Sequence, residues 1–142
     1  MRMTWFTWSL LSALFAAATA ILAKMGVAHV ESNLATAIRT TVVLVLAWSV
    51  VFGLGSHRQL AALDFRSTAF LTASGIATGL SWLCYFRALA SGPASKVAPI
   101  DKLSVLFVIL LARPLLGESL TRGKLLGGGL IVAGATILAL VN

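Results

Sequence analysis

Apolar residues along this chain gather into five long runs, at about residues 5–25, 34–55, 67–90, 97–115 and 121–141, with short polar stretches between them. Polar positions within each run are too few to give a helix a wet face, so the pattern is not that of amphipathic helices around a soluble core. A bilayer's hydrocarbon core is about 30 Å thick and a helix rises about 1.5 Å per residue, so about 20 apolar residues cross it. In lipid, backbone amides must be satisfied within the protein, and for runs of this length that means helix. The fold class is therefore an all-α integral membrane protein with five transmembrane helices. An odd number of crossings puts the two termini on opposite faces of the membrane. Five spans also cannot divide into two equal repeats, so a transporter built from repeats needs a second copy.

The linkers are brief. Residues 29–33 separate the first two runs, with Ser32 or Asn33 available to cap the second helix. Residues 56–66 join the second run to the third, the Ser91-Gly92-Pro93 step breaks the third from the fourth, and residues 116–120 precede the fifth. Connections this short make sequential helices antiparallel neighbours, giving a compact bundle in a single domain over residues 1–142. The first run follows Arg2 and contains Ala18-Thr19-Ala20, which resembles a signal-peptidase site. It continues apolar past that point toward Lys24, so it is expected to be retained as a span.

Composition agrees with this reading: 11% of residues are charged, against roughly 25% in a soluble domain. A net charge of +7 would otherwise suggest nucleic acid. Here the basic residues lie in short loops and helix ends, so lipid, not nucleic acid, is the expected partner. The N-terminal face collects Arg2, Arg58, Arg66, Arg113, Arg122 and Lys124, and the other face Lys24, Arg39, Arg87, Lys96 and Lys102. The tallies are nearly equal, but more of the first set lies in true loops, which places the N-terminus in the cytoplasm of a cell or inner membrane. A bias this small also permits insertion both ways round. Cys84 has no partner for an internal disulfide. No phosphate loop, dinucleotide fingerprint or metal spacing is present, and His29 and His57 are isolated, so neither an enzyme nor a cofactor is expected.

Small residues favour close helix contact in lipid. Gly75 and Gly79 are spaced for this in the third run and Gly123 and Gly127 in the fifth, either for packing within the chain or for a dimer seam. Trp5, Trp8 and Trp48 lie near span ends, where indoles anchor at the interface. Trp82 lies deeper and, with Tyr85 and Phe86, is a candidate cavity wall, with lipid contact as the plainer alternative.

Ionisable groups inside spans mark function by default. Lys24, Arg39, Arg87, Asp101 and Lys102 all fall toward one membrane face by the five-span topology, suggesting a polar vestibule suited to an anionic or zwitterionic ligand. Lys24 and Arg87 also suit a last helical turn, where a cation meets the dipole and snorkels to the headgroups. With Pro99 opening the fourth helix, Asp101 falls in its first turn, where a carboxylate is stabilised. It would then either pair with Arg87 or another cation, or serve as a proton or substrate site. Pro99 and Pro114 leave only about 15 residues of uninterrupted helix, short for a span, which favours a broken or kinked fourth helix. Glu118 is placed to support the last helix or to pair with Arg122.

The stretch from Arg87 through Ser91-Gly92-Pro93, Lys96, Pro99 and Asp101-Lys102 to Leu103 resembles the centre of an EamA domain, of the drug/metabolite transporter superfamily. So does the Gly117-Glu118 step before a Gly-rich last helix. Lys24 closing the first helix and Arg39 early in the second extend the resemblance over essentially the whole chain. It implies secondary transport, often export, of small metabolites or drugs. It further implies that five helices are half of a ten-helix carrier, completed by a second copy, in a homodimer or with a paralogous half-transporter. Arg39, Arg87, Asp101 and Lys102 would line the substrate site, with Trp82 and Tyr85 as walls and Asp101 as the coupling group. Small multidrug resistance proteins of the same superfamily place a carboxylate in the first helix, and residues 5–23 here contain none, which speaks against their cation exchange. The alternatives are a flippase or flippase subunit for a lipid-linked head group, and a membrane subunit that transports nothing.

Overall fold

A computed structural model describes residues 4–141. It contains six α-helices: α1 (Trp5–Gly26), α2 (Ser32–Gly53), α3 (Phe65–Ser91), α4 (Ala94–Asp101), α5 (Ser104–Leu116) and α6 (Arg122–Leu140). A short 3-10 helix, Ser56–Ala62, follows α2. No strand occurs among the described residues. The chain is an all-α membrane protein, and α1, α2, α3 and α6 are each long and apolar enough to cross a bilayer.

Four of the five expected spans are long helices of this kind, and the remaining run is broken, as its two prolines lead one to expect. The fourth run is not a single helix but an 8-residue α4 and a 13-residue α5, divided at Lys102 and Leu103. At the division the amides of Lys102 and Leu103 bond back to the carbonyls of Pro99 and Ile100, and those of Val105 and Leu106 to Lys102 and Leu103. These are i to i−3 bonds, a tighter turn than the α-helix, and a stretch of this kind inside a helix marks strain or a hinge. α5 alone spans about 20 Å, short of the roughly 30 Å hydrocarbon core.

Helix ends follow local chemistry. α2 is capped by Glu31, whose carboxylate accepts from the Leu34 amide at 2.9 Å, and not by Ser32 or Asn33, which already lie within or beside the first turn. Asp64 accepts from the Ser67 amide at the start of α3, and Thr121 from the Lys124 amide at the start of α6. Gly117 ends α5 with φ of 70°, a conformation that costs glycine nothing. The amides of Gly117 and Glu118 then close onto Arg113 and Ala112, which explains the Gly-Glu step physically. Arg2 lies outside the described residues.

Two compact units make up the chain. One holds α1 up to Lys24 with α4, α5 and α6, and in it α4 and α5 both pack on α6. Gly128 makes that approach possible: a Cβ there would lie 3.2 Å from Ile109 Cδ1 and 3.4 Å from Leu106 Cδ1. The other unit holds α2, the 3-10 helix and α3 as far as Ala90, with the 3-10 helix folded against α2. Few side chains are buried (Ala20, Ala112 and Ala135 in the first unit, Thr36, Phe86 and Leu89 in the second) and most large apolar ones point outward. For a soluble protein this surface would be untenable. In a bilayer, acyl chains cover it.

Candidate functional site

In the second unit the site is built around Arg39. It lies about two turns into α2, roughly 5 Å from the helix midpoint. Its guanidinium carbon sits 4.1 Å from the centroid of the Trp82 ring and 5.6 Å from that of Phe86, both on α3. Phe86 is buried and Trp82 and Arg39 are half-buried. Tyr85, beside them in sequence, meets Phe86 edge to face, with centroids 6.5 Å apart. A desolvated cation–π contact returns up to about 2 kcal/mol. Insertion of a cation near the middle of a membrane helix costs about 2.5–3.5 kcal/mol. The aromatic face therefore compensates Arg39 only in part.

The helix around Arg39 is the most polar part of α2. Thr36, Thr40 and Thr41 each turn a hydroxyl back to the carbonyl four residues earlier, at 2.8, 2.7 and 3.1 Å, which satisfies their donors inside lipid. Thr36 is buried. Sequence reasoning passed over it, although three threonines around an arginine in an apolar run are a legible signal. Arg87, further along α3, is exposed and its charge acts on Glu31. Backbone amides of Asn33 and Leu34, the Ser32 hydroxyl and Arg87 together hold the Glu31 carboxyl below the ordinary glutamate range.

In the first unit Asp101 is not in a first helical turn. α4 begins at Ala94, behind Pro93, and carries Pro99 in its interior, so Asp101 is its last residue. At the sixth position of α4 Pro99 has no amide to give to the Ser95 carbonyl and its ring crowds that carbonyl, which weakens the helix just before it ends. The consequence is that Asp101 stands at the division between α4 and α5, where it accepts from Lys102 Nζ at 3.3 Å. The pair is partly exposed, and its partner is the adjacent residue. Lys24 donates to the Gly92 carbonyl at 2.9 Å, tying the end of α1 to the bend before α4, so its ammonium is held by protein as well as placed near a helix end. Glu118 pairs with Lys124 at 3.1 Å in place of Arg122.

Of the glycines picked out for seams, Gly75, Gly79 and Gly127 have no neighbouring atom within 4 Å of an added Cβ, and Gly123 meets only Thr121 Oγ1 at 3.9 Å. Contact within the chain uses Gly128 instead. A separate recess of about 290 Å³ lies toward the far end of α2 from Arg39, between Trp48, Val51, Ser56 and Gln59. No group of three or more metal-ligating side chains occurs among the described residues.

Long apolar helices, a divided helix with an ion pair at its break and an arginine held inside a span are features of membrane transporters, and the comparisons with known proteins agree. The chain belongs to the EamA-like transporter family, whose model matches residues 3–140. It is 47% identical over 139 residues to an "uncharacterized transporter in cobO 3'region" from a Sinorhizobium species, covering 98% of this chain and 99% of that protein. It is also 42% identical over 73 residues to a "probable 4-amino-4-deoxy-L-arabinose-phosphoundecaprenol flippase subunit ArnF" from Erwinia tasmaniensis, covering 50% of this chain and 58% of that one. No solved structure matches it.

Proposed function

We infer that this transporter is a secondary carrier that exports a small solute across the cell membrane, working as a homodimer or with a paralogous half-transporter. The observation that supports it best is the division of the fourth apolar segment with Asp101 and Lys102 at the break. Carriers use interrupted helices because freed backbone and a charge at the break give a solute polar partners at membrane depth. Asp101 is the coupling group: protonation would release Lys102 and remove a charge from the break. Arg39, Arg87, Lys102, Trp82 and Tyr85 contribute to substrate contact. Gly75, Gly79, Gly123 and Gly127, open on their own helices, are available to a second copy.

The test is export profiling of wild type and Asp101→Asn at matched membrane levels. One or more compounds released by wild type alone is the expected result. Normal export by Asp101→Asn removes the coupling role. A wild type that releases nothing overturns the carrier reading and favours a flippase subunit, the reading that the likeness to ArnF supports, or a subunit that does not transport.

A further inference from the structure

We propose that Arg39 is the receptor for an oxyanion, a carboxylate or phosphate group, on the molecule this protein carries, an inference that rests on the carrier reading and adds the substrate's charge. The first ground is that the chain supplies Arg39 with no anion. Only four acidic residues exist in the sequence. Glu31 caps α2, Asp64 caps α3, Asp101 is paired with Lys102, and Glu118 is paired with Lys124. Neither α2 nor α3 contains an acid. Among the described residues Arg39 meets aromatic faces, not a carboxylate.

The second ground is what those contacts leave open. A cation over a ring face is held by the ring's charge distribution and not by a lone pair, so these contacts supply no oxygen acceptor to the guanidinium's five N–H donors. A guanidinium held in this way presents its fork with less freedom left to lose, and the fork matches two oxygens of a carboxylate or phosphate. Trp82 and Phe86 are thus positioning residues, and Arg39 is the binding residue. The adjacent threonines already spend their donors on backbone, so they add acceptors but do not compete for the anion.

Trp82 reports on the site directly. Replacing Trp5, Trp8 and Trp48 by phenylalanine leaves it as the single tryptophan. This protein, in phosphatidylcholine nanodiscs, is titrated with inorganic phosphate and with acetate. A third preparation replaces part of the lipid with phosphatidylglycerol. A saturable change in Trp82 emission is expected, weakened at least about tenfold in Arg39→Gln and retained at lower affinity in Arg39→Lys, which keeps the charge without the fork. A response to phosphate or acetate assigns the oxyanion to a soluble solute, and a response only to phosphatidylglycerol assigns it to a lipid head group. No response in any preparation, or an equal one in Arg39→Gln, overturns the proposal. Failure of the carrier reading is distinguishable, because export would then be absent while the Trp82 titration still saturates. Export of the same compounds by Arg39→Gln at the wild-type rate removes the oxyanion site and leaves the carrier reading standing.

Discussion

Several of the charges at the helix ends and inside the spans are engaged, each by a different kind of partner. Lys24 is held by a backbone carbonyl, Asp101 by its neighbour, Arg39 by an indole face and Glu31 by amides. Glu31 sits at the head of α2, outside the span, and its carboxyl is held below the ordinary value of 4.5, first by the Asn33 and Leu34 amides. A depressed carboxyl supports the fold when ionised. Its contribution is complete above the ordinary value and is lost as the pH falls through the lower, folded value. The Leu34 amide resonance should therefore titrate with a midpoint below 4.5, and Glu31→Gln should abolish that step. A midpoint at or above the ordinary value would mean that the cap is not formed in solution. Above that range the first turn of α2, and with it the approach to Arg39, should be independent of pH.

Among the elements, α6 shows how much one position can carry. Gly127, Gly128 and Gly129 are consecutive, yet only Gly128 faces α5. Gly128→Leu should force α5 away and lower stability by about 1–3 kcal/mol, the usual range for overpacking. Gly129→Leu, which meets no neighbour, should change it by less than about 0.5 kcal/mol. Thermal unfolding in one detergent compares the two, and equal losses would place the α5–α6 contact elsewhere. The spacing rule picks Gly123 and Gly127 on the helix whose contact within the chain uses Gly128, because small residues four apart mark a possible seam without saying what occupies it. The positions of the long helices were legible to within a few residues, since bilayer thickness and backbone satisfaction leave little freedom. The start of α4 was not. Pro93 and Pro99 are both acceptable near a helix start, and choosing the second placed Asp101 at the wrong end of its helix. Arg39 was legible as a charge out of place, whereas its seat on Trp82 depends on how α2 and α3 meet, which no local pattern encodes.

For the whole molecule the question is how the chain sits in the membrane, and the charges bear on it unequally. Topology responds to lysines and arginines in short loops and near span ends. Lys24, Arg39, Lys102 and Lys124 are engaged by Gly92, Trp82, Asp101 and Glu118. Arg58 lies in the 3-10 helix and Arg66 in the first turn of α3, where it reaches toward the Phe70 ring, 5.8 Å away. The expectation of a cytoplasmic N-terminal face rests on Arg58 and Arg66, which lie beside a span in a short connection. If α4 and α5 cross together, the number of crossings is odd and the C-terminus is expected outside. A fluorescent protein fused at the N-terminus glows only inside, and alkaline phosphatase fused at the C-terminus works only outside. Wild type should give both signals. Arg58→Gln with Arg66→Gln removes the excess, and both should fall together by about half as inverted copies accumulate. Four crossings would never give both signals in one molecule, which would remove the α4–α5 pair from the membrane and, with it, the break on which the carrier reading stands. Two unchanged signals would assign the orientation to other charges. An inverted minority already present in wild type would supply the oppositely oriented copy that a half-transporter needs, whereas its absence would direct the search for a partner to a paralogue.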